Sequence, residues 1–233
     1  MRISENKRLN LGVFLSFAIV MLLHLIVLAT RRFFLTGMYG DGPYLSAENK
    51  VAVAEILSDV LPTVSSVLWV LLVGVLLFAS LRLSRGITAV LCLIVCAIPL
   101  TTVAIPSVYS LFVASKEMEI KWVLGISLQL CYPLVLFFSC WMLAPLFARR
   151  VPEPAAVLLA VVSFTVATFL LNVASVFLFP FSGVHISSVV FGIARRSLFS
   201  LLLTAAAALL VYFLLNWILR PSSEKSAPGL DNG

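Results

Sequence analysis

Charge is what this chain has least of. Lys, Arg, Asp and Glu together make up 11% of its 233 residues, against 62% hydrophobic residues. A soluble globular domain carries roughly 25% charged residues, because its surface must face water. With less than half that supply, the chain cannot coat a soluble particle, and lipid must cover most of its exterior. A mean hydropathy of +1.13 agrees.

The other scarcities exclude classes of chemistry. The chain has two His, and no Lys, Arg, Asp or Glu falls inside any long apolar run. Ion-coupled carriers usually place ionisable groups near the membrane midplane, and that signature is missing here. There is no His-Asp motif, metal-spaced His pair, Ser-Lys signature or phosphate-cradling Gly loop. His24, His185, Asp41, Glu55 and Asp59 are scattered and do not form the convergent acid, base or metal-binding set that catalysis needs. The expectation is a non-enzyme without cofactor or metal. No Asn-x-Ser/Thr acceptor occurs, which fits a bacterial envelope but decides little.

All four cysteines, Cys92, Cys96, Cys131 and Cys140, fall inside apolar runs. Cys92 and Cys96 stand one helical turn apart, a spacing open to metal binding or redox pairing. Without a neighbouring His or carboxylate they read as small packing residues.

What the sequence does have is six apolar stretches free of charge: 10–30, 62–81, 86–105, 122–147, 155–179 and 197–219. A helix rises about 1.5 Å per residue and the hydrocarbon layer is roughly 30 Å thick, so about 20 residues make one crossing. Lipid offers the backbone no partners, which restricts crossings to helices and closed barrels. Barrel strands alternate apolar and polar residues, and runs such as Val67-Leu68-Trp69-Val70-Leu71-Leu72-Val73 do not. The fold class is all-α, a polytopic integral membrane bundle of about six transmembrane helices. No segment suffices for a soluble domain, so residues 1–220 read as one membrane domain and the polar 221–233 as a disordered tail.

The net charge of +6 comes from pairs beside these stretches: Arg31 with Arg32, Arg82 with Arg85, Arg149 with Arg150, and Arg195 with Arg196. This is a pattern for loops and lipid headgroups, not for nucleic acid. The basic start followed by a run of about 20 residues reads as a retained signal anchor, because cleaved signal cores span roughly 7–15. Six spans place both termini on one side with nine of the sixteen Lys and Arg. Positive charge favours the cytoplasm, so both termini are expected inside, at a bacterial inner membrane.

Three connections carry patterns of their own. A turn-rich patch, Tyr39 to Tyr44, precedes a surface helix from Ser46 to Leu61, stopped or kinked at Pro62, with Glu48, Glu55 and Asp59 near one face. The third apolar region runs past Pro99 and Pro106, so it must tilt, kink or break there, and Pro133 raises the same question in span four. Phe181 to Arg196 reads as a short interfacial helix with His185, Ser188, Gly192 and Arg195 on one side. Its His185, Arg195 and Arg196 are the candidate contacts for a headgroup or another anion, or else simply rest on anionic lipid.

Span five has the clearest internal logic. Ala156, Ala160, Ser163, Ala167 and Ala174 form a stripe of small residues that lets helices approach closely. Thr165, Thr168, Asn172 and Ser175 form a second, polar stripe. It is the candidate lining of a polar cavity, with His24 and Gln129 from other helices. The competing reading is hydrogen-bonded glue between helices. Span six, with Ser197, Ser200 and Thr204, is the expected neighbour.

These features point to a small permease or the membrane subunit of a transport or envelope complex, with the lipid bilayer and membrane or ATPase subunits as partners. An interfacial enzyme acting on a lipid-linked substrate, and a structural or assembly protein, are the alternatives.

Overall fold

Backbone amides in a lipid-covered chain have only one another to bond, and local structure follows from that constraint. The computed structural model describes residues 2–39, 60–101, 131–178 and 186–219, and no strand occurs among them. Among the described residues the helices are α1 (Arg2–Tyr39), α2 (Leu61–Arg82), α3 (Arg85–Pro99), α4 (Cys131–Phe147), α5 (Glu153–Leu178) and α6 (Ile186–Ile218).

The architecture is all-helical, and four helices are long and apolar enough to cross a membrane: α1 through its Leu9–Thr30 part, α2, α5 and α6. The apolar α3 and α4 are shorter. They adjoin residues 102–130, so the continuation past Pro106 and the start of the fourth apolar stretch lie outside the described residues. The turn-rich patch after Tyr39, the surface helix from Ser46 through residue 59, and the tail beyond Leu219 lie outside them too.

Two helices differ from the sequence-based boundaries. α1 continues through Arg31 and Arg32 to Tyr39. The separate interfacial helix expected before Ser197 is instead the opening of α6, which runs without a break from Ile186 to Ile218. No proline interrupts this stretch, and a single Gly192 costs a helix only about 1 kcal/mol. At about 1.5 Å per residue α6 is close to 50 Å long, well beyond a hydrocarbon layer of roughly 30 Å. Its charge-free part begins at Ser197, directly after Arg195 and Arg196.

The corners are closed by local bonds. After α2, Leu83 N–H donates to Ala79 O at 2.7 Å, and the extended Ser84 offers its carbonyl to Thr88 N–H and to Thr88 Oγ1. After α4, Arg150 N–H and Val151 N–H both donate to Phe147 O. Pro152 then leads into Glu153, whose carboxylate suits the positive end of α5. Within α4 one turn, Ser139–Leu143, widens to a π-helix. Ser139 and Cys140 are consecutive and both buried there.

Contacts divide the chain into two units, residues 1–75 with 211–233, and residues 76–210. The first buries Val13, Phe17, Leu72, Val73, Val211 and Tyr212; the second buries Phe78, Val95, Leu136, Ala144, Ala156 and Val161. In the first unit the glycine at position 12 matters. A Cβ built there would run into the Leu219 side chain, so the absent side chain is what lets the two positions approach.

Candidate functional site

The polar stripe of α5 lies in the second unit. Hydroxyl side chains in an apolar helix can satisfy themselves by bonding back to the carbonyl one turn earlier. Thr165 does so to Val161 O at 2.9 Å, Thr168 to Thr165 O at 2.9 Å, and Ser175 to Asn172 O at 2.6 Å. Asn172 Nδ2 donates to Thr168 O at 3.0 Å. Its Oδ1 accepts the Tyr132 hydroxyl from α4, the stripe's bond to another helix. The hydroxyls are thus tied to their own helix, and Asn172 is a cross-helix pin.

The small-residue stripe packs closely over its first turns only. Ala156 and Ala160 are fully buried, Ser163 and Ala167 are half-buried, and Ala174 is exposed. Of this stripe, the fully buried positions thus fall in the first two turns of α5.

His24, the contributor expected from span one, is in the first unit. It is buried, with its ring centroid 5.8 Å from that of Trp69, the planes inclined at 42°. The backbone of Ser65 sits beside the ring as an acceptor, while Nδ1 has no hydrogen-bond partner among the described residues. Gln129 and His185 lie outside the described residues.

The thiols concentrate where α3 meets α4. Cys92, Cys96 and Cys140 are buried and Cys131 is half-buried, all as free cysteines. Cys96 Sγ donates to Pro133 O at 3.1 Å, and Cys92 and Cys140 hydrogen-bond each other. Trp141 Nε1, on the widened turn, donates to Arg85 O at 3.2 Å. These contacts set α3 and α4 antiparallel, because Arg85 lies level with Trp141 and Cys96 with Pro133. Among the described residues no group of three or more His, Cys, Asp or Glu is arranged to hold a metal ion.

A groove that the residue stripes did not disclose lies between α5 and α6. Thr165, Val166 and Phe169 form one wall and Ala194, Ser197, Leu198 and Leu201 the other, around about 230 Å³ of open space. The signal for it was in the sequence as small residues, Ala194 and Ser197, spaced along one face of α6. Arg195 and Arg196, which do not line it, are exposed, and neither has an acidic partner among the described residues. The Ser197 hydroxyl makes no hydrogen bond to the described chain.

No family model matches the chain, and no curated protein or solved structure matches it either.

Proposed function

We propose that the chain is a non-catalytic integral membrane component of about six spans, working as the membrane subunit of a transport or envelope complex. The observation that carries this reading is how few residues of the apolar helices are buried among the described parts of the chain. Within an 18-residue apolar window of each helix, 17% of the residues are buried in α1 and 28% in α5 and in α6, against 50% in α2. Leu11, Leu15 and Leu22 on α1 and Leu202, Leu210 and Phe213 on α6 stand exposed. Such faces suit lipid and neighbouring helices, and in lipid close packing is what joins one helix to another.

The bonding of the α5 stripe favours a holding role over a permeation path, because its hydroxyls are already engaged by Val161, Thr165 and Asn172 carbonyls. The alternative of a small permease keeps Asn172 as its residue. Loss of a measured uptake in an Asn172→Leu variant that still folds would favour the permease.

Affinity purification of the full chain in mild detergent tests the subunit reading. Co-purification of a membrane protein or an ATPase in fixed ratio is the expected result; a chain that always purifies alone would overturn it. Reporter fusions at each terminus test the placement in a bacterial inner membrane with both ends in the cytoplasm, an orientation resting on nine Lys and Arg against seven.

A further inference from the structure

We infer that Cys92 and Cys140, facing each other between α3 and α4, form a two-coordinate site for a soft, thiophilic metal cation. This inference stands independently of the subunit reading.

All four cysteines of the chain fall on this one pair of helices, Cys92 and Cys96 on α3, Cys131 and Cys140 on α4. Two bonds fix how the helices lie: Trp141 Nε1 donates to Arg85 O at 3.2 Å, and Cys96 Sγ to Pro133 O at 3.1 Å. From the second contact, Cys92 stands one turn along α3, and Cys140 two turns along the same face of α4. The helices are antiparallel, so both steps run the same way and the two thiols meet. They hydrogen-bond each other. The widened turn Ser139–Leu143 holds Cys140 inward beside the buried Ser139. Single turns of this kind occur frequently at functional sites. Cys92 and Cys140 are each 1% exposed.

The donors are sulfur alone, because neither helix carries a carboxylate or a His. Thiolates select soft cations, whereas hard ones seek oxygen. Among the described residues no group of three or more donors is arranged for a metal, so the ion must be content with two ligands. Zn(II), which takes four, does not fit. Charge narrows the choice further. Two thiolates around a monovalent ion leave a net negative charge in apolar surroundings, which is costly. Around a divalent ion the complex is neutral, so a soft divalent cation, Hg(II) in type, suits the site best. Such an ion travels as the complex of a small thiol and enters by ligand exchange. Two metal–sulfur bonds form as two break, and the protons of Cys92 and Cys140 pass to the departing thiols. No charge changes along the way.

The experiment titrates the full chain in mild detergent with Hg(II) or Zn(II) against an excess of glutathione, and native mass spectrometry reads the bound metal. A paired site makes the second bond intramolecular, so it should hold the ion roughly a hundredfold or more over separate thiols. One Hg(II) per chain and no Zn(II) are expected. Cys92→Ser and Cys140→Ser should each surrender the ion to glutathione. The double variant Cys96→Ser/Cys131→Ser keeps only the proposed pair and should retain it, a result that stands even where the single variants fail to fold. Loss of the ion from that double variant would overturn the site, as would its retention by Cys92→Ser. X-ray absorption at the mercury edge gives a readout on the unmodified chain. Two sulfur neighbours support the site, and three or four, or uptake of Zn(II), overturn it.

Discussion

The Tyr132 hydroxyl donates to Asn172 Oδ1, joining α4 to α5 across forty residues of sequence. Asn172 in turn donates to Thr168 O, so one side chain serves as acceptor between helices and as donor within its own. Removing either partner leaves the other half-buried and without this bond.

Asn172→Leu and Tyr132→Phe should each destabilise the chain, by about 0.6–1.7 kcal/mol, from the average to the upper end measured by double-mutant cycles for bonds between helices in lipid. The double variant should cost little more than the worse single one, because the second change removes an orphan that the first created. Thermal unfolding in detergent of the four proteins measures this. Fully additive losses would mean that the two groups do not act as a pair.

Arg82 and Glu153 close the second unit at its polar edge, Nη2 to Oε2 at 2.7 Å, with side chains 29% and 35% exposed. Solvent at that exposure screens the pair, so a double-mutant cycle should return no more than about 0.2–1 kcal/mol, falling as salt is added. Arg82 also lies over the Phe78 ring, 5.9 Å from its centroid. Arg82→Gln should therefore cost more than Glu153→Gln, by about 0.5–1 kcal/mol for the ring contact. Equal losses from the two single variants would remove the ring from the account.

His24 is buried with Nδ1 unbonded among the described residues. A buried polar atom without a partner costs roughly 1–3 kcal/mol, and replacing it with an apolar side chain of similar size relieves that cost. His24→Leu should match or exceed the unmodified chain in unfolding temperature, whereas Trp69→Ala should lower it by removing the packed ring. A fall in stability for His24→Leu would mean that the ring's bond to the Ser65 backbone outweighs the cost of the unbonded Nδ1.

Gly12 faces Leu219 with no room for a fixed side chain. Because the obstructing atoms are the flexible end of Leu219, Gly12→Ala should cost little. Gly12→Leu should cost about 1–3 kcal/mol by overpacking. Combining it with Leu219→Ala should recover most of the loss, as read by thermal unfolding. No recovery would place the strain elsewhere.

Much of this was legible in the residues, and the reasons differ from site to site. Thr165, Thr168, Asn172 and Ser175 announced a polar face because helical spacing alone puts them together. Spacing could not say that the hydroxyls would turn back onto α5, nor that Tyr132 would be the outside partner. Sequence separation hid the Arg82–Glu153 pair for the same reason. The separate helix expected before Ser197 was an inference from polarity, and α6 shows that a change from polar to apolar surroundings does not require a break in the backbone.

The residues by themselves determined that the chain is helical and built for lipid, since too few charges exist to face water and an unsupported backbone in hydrocarbon must bond to itself. Tertiary structure alone decided which polar atoms found partners, where Gly12 admits Leu219, and that α5 and α6 leave an open trough between them. Those outcomes depend on which faces meet across long stretches of chain, and a periodic pattern of greasy and small residues permits many such pairings.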